Sequence, residues 1–577
     1  MAIDHGVTSD DGSIGGPGRP ETRRSRPADG RGPRWGRLAV ALVALAVAVP
    51  VAAVLGRAVR PEGAWSLDAF QRILSNGRTW RLLAVTVGQA AASTALTAAV
   101  GLPLAWVLAR YRFAGRSAVR TAAMVPFVLP SVVLGAAIAS VLGPSGLVDV
   151  RGSWWPVFAA HVCFNLAVFV RVVGAALDGL DPSLEDTART LGSTPLGAAR
   201  RVLLPAVAPA AWAAAIVVFL FCLTSFGVIV ILGGGSVSTI EVEIWVRATR
   251  QFDLSGAAVL AGLQVLAVVA TLALHARFSR RSPRSVRTGR TWSRRPVTPF
   301  EWAQVAAAVV AVGAVTVVPL AGLVERSLRL PGGAHGLDHW RDLGSATAGT
   351  GLTVSPLDAI AVSLLSATIA TAVALAVGVP AARVAARRPG GAADRILLLP
   401  LGVSATTIGL GLLLAVGRPP VDLRRAWWLV PAAQALVAVP LLVRAVSAAL
   451  RDLPTGVVDV AATLGAGERR RWWRVELPMV RGAVAAGAGL AFVASLGEFG
   501  ATVFLARADR PTLPVAIERL MSRPGGAGFG QAMALSCVLV ALCGIVLAVV
   551  DRGVERMGRG RRGSIESDAA DGIRLGL

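Results

Sequence analysis

Long apolar runs alternate with short polar loops along most of this chain. Each run has about 20 residues or more, the length of helix that crosses the hydrocarbon core of a bilayer, so each predicts a membrane-spanning helix. Six runs precede residue 276 and six follow residue 300. The predicted spans lie near 37–56, 82–106, 121–142, 154–177, 206–232, 256–275, 302–324, 357–380, 395–416, 426–450, 481–505 and 530–551.

Composition supports a membrane protein, since hydrophobic residues make up 54% of the chain and the mean hydropathy is +0.63. We predict an all-α polytopic membrane protein with twelve transmembrane helices. A cleaved signal peptide is the alternative for the first run, but its length and polar lead-in favour a retained span. The predicted domains are a disordered cytoplasmic tail (1–36), a first half (37–275), a basic cytoplasmic linker (276–300), a second half (301–552) and a cytoplasmic tail (553–577).

One loop pattern occurs twice, 273 residues apart (from 186 to 459). Each copy has an Asp, a Gly six residues later, and Leu-Pro at the start of the next apolar run. The same offset relates Phe226 to Phe499, and each half has an even number of predicted spans. We therefore predict two parallel six-helix repeats related by an axis along the membrane normal. The repeated positions are Asp186, Ala188, Arg189, Gly192 and Pro205 in the first copy and Asp459, Ala461, Gly465 and Pro478 in the second.

The formal net charge is +24, and the chain contains arginine but no lysine. Such a charge would suggest nucleic acid in a soluble domain, but these arginines concentrate between apolar runs, so we predict membrane anchoring and no nucleic-acid binding. The linker 276–300 has eight arginines and no carboxylate, which predicts a cytoplasmic location. Counting spans from the linker places both termini and both loop copies in the cytoplasm, although arginines at 57–80 then fall outside.

The repeated loop has the composition of a docking surface. A proline ends the preceding helix (Pro182 in the first copy), residues 184–190 predict a short helix with Ala188 exposed, and Gly192 and Gly465 permit a tight turn. Small residues let a partner approach the backbone, and arginines in the loops can pair with acidic groups. The alternative is that these short helices only pack on the membrane surface.

The two loops resemble the Glu-Ala-Ala…Gly…Leu-Pro signature of the membrane subunits of bacterial ABC-type importers, with Asp186 and Asp459 in place of the leading Glu. The resemblance covers nearly all of residues 37–552. It implies type I importer architecture in the inner membrane, two cytoplasmic ATPase subunits that each receive a coupling helix, and an extracytoplasmic substrate-binding protein. The segments 223–235 and 495–500 are similar to thiamine permeases, and iron(III) permeases share parts of both. The implied substrate is thiamine or a thiamine phosphate, with iron(III) as the alternative.

The chain lacks the machinery to hydrolyse ATP itself. It has no Gly-x-x-x-x-Gly-Lys-Ser/Thr phosphate loop, and without lysine it can have no phosphate-cradling lysine. ATP hydrolysis is therefore expected in a separate subunit, and we predict no enzyme activity and no cofactor. The four cysteines lie in apolar runs without ligand spacing, so neither a disulfide nor a metal site is predicted: Cys163, Cys222, Cys537 and Cys543.

Four residues are candidates for the translocation pathway. Glu498 is the one carboxylate predicted well inside an apolar run, where ionisable groups are commonly functional, and Phe499 follows it. Their counterparts in the first half are Ser225 and Phe226. The alternative for Glu498 is a carboxylate that reaches the outer interface or pairs with an arginine.

His161 and Asn165 lie four residues apart on one helical face, and His161 aligns with Gln434 of the second half. We predict that they make interhelical hydrogen bonds, with lining of the pathway as the alternative. Arg171 and Arg444 are expected to reach the membrane interface from near the inner helix ends.

Two other classes of protein fit the sequence less well. An ion-driven secondary carrier can also have a parallel six-plus-six repeat, but it needs no duplicated cytoplasmic loop and usually has more ionisable groups within its spans. A membrane enzyme would need clustered His, Asp or Glu near one face, whereas the five histidines here are scattered.

Overall fold

A computed structural model describes most of the two predicted halves. The predicted N-terminal tail falls almost wholly outside the described residues, as do Pro182 and most arginines of the basic linker. The described residues are 34–61, 64–143, 146, 148–150, 152–181, 183–279, 293–345, 352–418, 421–424, 426–522 and 528–574.

Helices account for nearly all the regular structure of the described residues. The helices of the first half are α1 (Arg34–Val59), α2 (Asp68–Leu74), α3 (Gly77–Arg110), α4 (Arg116–Ala122), α5 (Val125–Val128), α6 (Ser131–Leu142), α7 (Trp155–Asp178), α8 (Ser183–Thr190), α9 (Pro195–Ala198), α10 (Leu204–Leu223), α11 (Gly227–Leu232), α12 (Ile240–Thr249) and α13 (Leu254–Ser279). A π-helical segment, Ala199–Leu203, joins α9 to α10.

The second half repeats this order. Its helices are α14 (Pro299–Leu328), α15 (Asp338–Arg341), α16 (Pro356–Arg387), α17 (Ala392–Leu398), α18 (Ala405–Val416), α19 (Leu429–Arg451), α20 (Thr455–Thr463), α21 (Glu468–Arg471), α22 (Leu477–Leu496), α23 (Thr502–Leu505), α24 (Leu513–Met521) and α25 (Phe529–Arg574). The remaining elements are 3-10 turns at Asp342–Gly344 and Leu399–Gly402, a π-helical segment at Trp472–Glu476, and an antiparallel hairpin of β1 (Gly417–Arg418) and β2 (Val421–Asp422).

Within the described ranges, ten helices are long and apolar enough to cross a membrane, and a bent pair made of Arg116–Val128 and Ser131–Leu142 raises the number to eleven. The remaining predicted run, near 395–416, is divided between α17, a 3-10 turn and α18, a shorter apolar helix. These long apolar helices confirm the predicted all-α polytopic fold, since a helix satisfies its own backbone hydrogen bonds inside a bilayer.

Two predicted spans in each half are broken helices. The third span bends by 106° before α6, where Pro130 has no N–H to continue the ladder of α5. The fifth span, predicted as one helix over 206–232, instead stops at Leu223 and resumes at Gly227. Its counterpart over 481–505 stops at Leu496 and resumes at Thr502. These breaks correct the prediction that each of these runs forms one continuous helix.

The two halves interlock through their first helices. Helix α1 packs against α16 and α18 of the second half, and α14 packs against α3 and α6 of the first. The contacts are close in both directions. A Cβ added to Gly322 of α14 would lie 2.6 Å from the Ser140 hydroxyl oxygen, and one added to Gly411 of α18 would collide with the Pro50 carbonyl of α1. Such reciprocal contacts are the pattern of a two-fold interface.

One ion pair occurs in both halves with its charges exchanged. In the first half, Arg120 of α4 donates to Asp178 at the end of α7 over 3.0 Å. In the second half, Arg451 at the end of α19 donates to Asp394 of α17 over 3.1 Å. The two pairs occupy matching places in the repeat, so the contact between these elements is the same although each residue has changed sign.

Candidate functional site

The first repeated loop is built on a helix that ends in a tight glycine turn. Helix α8 ends at Thr190, and Gly192 adopts a φ of +83°, a conformation that favours glycine. The Ser193 N–H donates to the Ala188 carbonyl over 3.0 Å, and the Gly192 N–H donates to the Arg189 carbonyl over 3.0 Å. This pair of bonds is a Schellman motif, which closes the helix end and turns the chain sharply.

The second loop repeats that geometry. Helix α20 ends at Thr463, and Gly465 has a φ of +76°. The Ala466 N–H donates to the Ala461 carbonyl and the Gly465 N–H to the Ala462 carbonyl, each over 3.0 Å. The two turns therefore match bond for bond, which explains why glycine occupies the same place in both sequence copies.

The chain leaves both turns by the same route into the membrane. A four-residue helix and then a five-residue π-helical segment follow each turn. Pro205 and Pro478 then lie at the second residue of α10 and α22, directly after the π-helical segments. The Leu-Pro pairs of the sequence pattern thus mark the change from π-helix to α-helix near the start of a spanning segment in each half.

The surface of the short helices differs from the prediction at one residue. Ala188 was expected to be exposed, but it is buried, with 7% of its surface accessible, because it lies on the face of α8 that packs against the chain itself. The exposed face carries larger apolar side chains. Leu191 and Leu464, each directly before the turn glycine, are both 81% exposed. Leu184 and Val457 are exposed at the preceding turns.

The other predicted loop positions stay accessible. Ala461, the counterpart of Ala188, is partly buried. The charged, turn and proline residues of both copies are exposed: Asp186, Arg189, Gly192, Pro205, Asp459, Gly465 and Pro478.

Ion pairs fix the first loop to a long helix of its own half. Glu185, on the buried face of α8, accepts from Arg110 at the end of α3 over 2.7 Å. Both side chains are largely shielded from solvent, so screening by water and salt weakens this pair less than an exposed one. The neighbouring residue, Asp186, remains on the exposed side.

The second loop is fixed at different positions. Glu476 accepts from Arg383 of α16 over 3.1 Å and from Arg471 over 3.2 Å, while the Arg383 guanidinium also lies 4.2 Å from the ring centre of Trp472. Arg387, at the end of α16, pairs with Glu468. The two loops thus share a fold but differ in how they are anchored.

At the centre of the molecule, Phe226 and Phe499 stack on each other. Their ring centroids are 5.2 Å apart and the rings are inclined by 18°. Close packing of the backbone accompanies the stack, since a Cβ added to Gly227 would lie 3.2 Å from the Phe499 ring, and one added to Gly497 would lie 2.6 Å from Pro130 of the other half. These two pathway candidates meet where the halves meet.

The other two pathway candidates bind within their own halves. The Ser225 hydroxyl is 2.9 Å from His161 Nε2, and His161 Nδ1 is 2.8 Å from the Ser93 hydroxyl. Glu498 is buried, and its carboxylate accepts from the backbone N–H groups of Ala501 at 2.8 Å and Thr502 at 3.0 Å. These bonds give Glu498 a capping position at the start of α23, which neither sequence alternative foresaw.

Interhelical bonding by His161 is confirmed, since its two ring nitrogens join α7 to α3 and to the segment that directly follows α10. The Asn165 amide donates to the His161 carbonyl and approaches the Cys222 sulfur of α10 at 3.5 Å. Gln434, the counterpart of His161, is buried, and neither polar atom of its side chain has a partner in the part of the chain that the structure describes.

Sequence reasoning missed the buried carboxylates of α12 and α24. Glu241 and Glu243 of α12 and Glu518 of α24 are all buried, although none of them lies in one of the predicted spans. Glu241 is fully enclosed and accepts a hydrogen bond from the Thr406 hydroxyl of α18, across the boundary between the halves. All three lie in short helices between the long spans, where a search limited to apolar runs does not look.

Among the described residues, no group of three or more His, Cys, Asp and Glu side chains is placed to hold a metal ion. The four cysteines are unpaired thiols.

The inner membrane component of binding-protein-dependent transport systems is the family whose sequence model matches this chain, over residues 101–282 and 374–556. Together the two matches cover more than half of the chain. Each of the two matched ranges contains one copy of the repeated loop and one phenylalanine of the stacked pair.

Individual relatives are similar over different extents. The chain is 26% identical over 503 residues to the probable ABC transporter permease protein y4fN of Sinorhizobium fredii, which covers 81% of this chain and 87% of that protein. It is 30% identical over 207 residues to the sulfate transport system permease protein CysT of Salmonella typhimurium, which covers 34% of this chain and 74% of that protein. It is 34% identical over 212 residues to the molybdenum transport system permease protein ModB of Mycobacterium tuberculosis, which covers 34% of this chain and 78% of that protein.

Proposed function

Because this chain belongs to the family of inner membrane components of binding-protein-dependent transport systems, we propose that it forms the translocation pathway of an ATP-driven importer and couples to separate ATPase subunits through its two repeated loops. The chain carries two copies of the family domain, so it is a fused permease with both halves of the pathway in one polypeptide.

The observation that carries the coupling proposal is the pair of matching surfaces on α8 and α20. Each presents an exposed leucine, Leu191 or Leu464, directly before an exposed glycine turn. Exposed large apolar side chains on a polar loop favour a protein partner, because burying one contributes about 1.5–3 kcal/mol. Two equivalent surfaces favour two copies of the partner.

We place both loops, both termini and the linker 276–300 on the cytoplasmic side of the inner membrane, and we assign residues 37–275 and 301–552 to the two permease halves. The arginines of the linker support that orientation. The ATPase subunits then meet the loops from the cytoplasm, and a substrate-binding protein delivers its ligand to the opposite face.

In the proposed cycle, ATP draws the two ATPase subunits together and the loops move with them. The Schellman turns keep each loop rigid. The Arg110–Glu185 and Arg383–Glu476 pairs join the loops to the long helices α3 and α16, so the displacement of a loop moves its half. The halves then rock about the axis. Separation of Phe226 from Phe499 opens the pathway at the point where the stack blocks it.

For the substrate, we propose thiamine or a thiamine phosphate, on the resemblance of segments 223–235 and 495–500 to thiamine permeases. Iron(III) is the alternative from the same resemblance. The names of two relatives, a sulfate and a molybdenum permease, add oxyanions as competing candidates.

A secondary carrier remains the less favoured class. It would give no role to two exposed loops with identical turns. Purified chain that transports an ion-coupled solute without any ATPase would favour the carrier.

The coupling proposal is tested by purifying the chain with its candidate ATPase. Leu191→Asp and Leu464→Asp change exposed side chains, so they should leave the fold intact and weaken the association. Val297→Asp, which changes a highly exposed valine just before α14, is the matched control and should bind normally. Full association of the double variant Leu191→Asp/Leu464→Asp would exclude the loops as the coupling surface.

A further inference from the structure

Three phenylalanine rings from three different helices of the first half meet beside the core cluster that contains Phe226 and Phe499. The Phe127 ring of α5 lies 5.0 Å from the Phe164 ring of α7 and 6.0 Å from the Phe221 ring of α10, and the last two are 6.2 Å apart. We call these residues the phenylalanine triangle. Phe164 is partly buried, whereas Phe127 and Phe221 each keep 37% of their surface exposed despite the mutual contacts.

The triangle lies next to a hydrogen bond that joins two segments of the first half. Phe221 precedes Ser225 by one helical turn and Phe164 follows His161 by about one turn, so the hydrogen bond between Ser225 and His161 holds these two helices together directly beside the rings. Since α10 begins at the coupling loop and runs toward Ser225, the triangle lies on the loop side of that bond.

Phe127 links the triangle to the second half. It lies three residues before Pro130, and Pro130 packs so closely on Gly497 that a Cβ at Gly497 would be 2.6 Å away. Gly497 is two residues from Phe499, which stacks on Phe226. Phe164 packs against the core cluster that contains both Phe226 and Phe499, so the triangle lies beside the stacked pair.

The fold itself does not require the three rings. The matching positions of the second half are Leu401, Val437 and Ala494, so a half with the same helices is built without an aromatic residue at any of the three. The triangle is thus specific to the first half.

The chemistry of three phenylalanines limits what they recognise. They offer no hydrogen bond, their faces carry the negative side of the ring quadrupole, and they pair favourably with planar rings and with cations. An oxyanion such as sulfate or molybdate gains nothing from such a surface. A planar aromatic group, especially a positively charged one, can stack on one ring and meet the edge of another.

We propose that the phenylalanine triangle is a stacking site on the translocation pathway for a planar aromatic group of the substrate. This inference rests on the proposed function and deepens it, because it assigns the substrate to aromatic compounds, preferentially cationic ones, and not to oxyanions or bare metal ions.

The test uses the complete transporter, with its ATPase and binding protein, in proteoliposomes, and radiolabelled thiamine and molybdate as probes. The wild type is expected to import thiamine with ATP and not molybdate. Phe127→Leu and Phe221→Leu each remove one stacking ring and should lower thiamine uptake by about tenfold, whereas Phe221→Tyr, which restores the ring, should recover it. Phe158→Leu is the matched control, because Phe158 belongs to a separate aromatic group with Trp154 and Trp155 at the start of α7, and this variant should import normally.

Three results would overturn the proposal: thiamine uptake that is unchanged in both leucine variants, an equal loss of uptake in Phe158→Leu, or a wild type that imports molybdate or neither probe. Association of each variant with the ATPase shows separately that the chain is folded. Since that association is measured without any substrate, loss of the aromatic site is distinguishable from failure of the permease proposal.

Discussion

Phe226 and Phe499 hold the same position in the two halves of this chain and stack face to face across the boundary between them. A contact between two copies of one sequence position is what a two-fold axis produces, since only groups near the axis meet their own counterparts. The pair therefore marks the axis of the duplicated permease with two named side chains.

Removing the stack should open the pathway. Phe226→Ala and Phe499→Ala each delete one ring of a pair that contributes about 0.5–1.5 kcal/mol beyond its buried area. We expect proteoliposomes containing either variant to leak a small trapped solute faster than those with the wild type, without ATP. Phe300→Ala, at an exposed residue in the first turn of α14, should be as tight as the wild type. Tight vesicles with the double alanine variant would show that the stack does not close the pathway.

The two loops should bind their ATPase subunits unequally. The two loops differ at one position of the exposed face. This position is Thr187 in the first loop and Val460, which is 57% exposed, in the second. Val460→Thr replaces one methyl group of the docking face with a hydroxyl group. The variant should bind the ATPase about fivefold more weakly, since a fivefold change in affinity corresponds to about 1 kcal/mol. Thr187→Val should strengthen binding by a similar factor.

Titration of the ATPase onto the chain in nanodiscs gives both affinities. An unchanged affinity in Val460→Thr and Thr187→Val would mean that this face does not contact the ATPase.

The ion pair of Asp394 and Arg451 should tolerate an exchange of its two charged residues. Asp394→Arg alone puts two arginines together, and Arg451→Asp alone puts two carboxylates together, whereas the double variant reproduces the order of Arg120 and Asp178 in the first half. Because the pair is partly exposed, we expect a coupling energy of about 0.5–1 kcal/mol in a double-mutant cycle of thermal unfolding. The exposed pair of Asp338 and Arg341 is the control and should show no coupling. Additive effects at 394 and 451 would rule out a preserved contact.

Glu241 should matter for the contact between halves. Glu241→Ala removes the acceptor of the Thr406 hydroxyl in a fully enclosed site, and loss of a buried hydrogen bond costs about 1–3 kcal/mol. Glu241→Gln keeps an acceptor and should cost less. Thermal unfolding in detergent checks the order of the two variants, with Asp342→Ala at an exposed carboxylate as the control. Equal melting temperatures for the two Glu241 variants would contradict the bonding role.

The sequence predicted the helices well because apolar length is read directly from composition. It also predicted the turn glycines, since a positive φ at Gly192 and Gly465 leaves a local signature. The burial of Ala188 could not be predicted in this way, because the orientation of α8 depends on packing and on the Arg110–Glu185 pair, a contact between residues 75 positions apart in sequence.

The breaks in the third and fifth spans were missed for a related reason. Pro130 and the glycine-rich stretch near Gly497 are visible in the sequence, but apolar content continues through both, so the runs look unbroken. Where the chain bends depends on the other half, which packs against both positions. The aromatic triangle is likewise a tertiary feature, since Phe127, Phe164 and Phe221 come from three separate spans.

The most direct test of the central claim is the distance between the two coupling loops during the ATP cycle. Spin labels at Thr190→Cys and Thr463→Cys, equivalent exposed positions beside the turns, report this distance in nanodiscs once the four native cysteines are replaced. With the ATPase bound, addition of ATP should shorten the distance between the labels, and an ATPase that cannot bind ATP should give no change. An ATPase that binds the chain and hydrolyses ATP while the distance stays constant would contradict coupling through these loops.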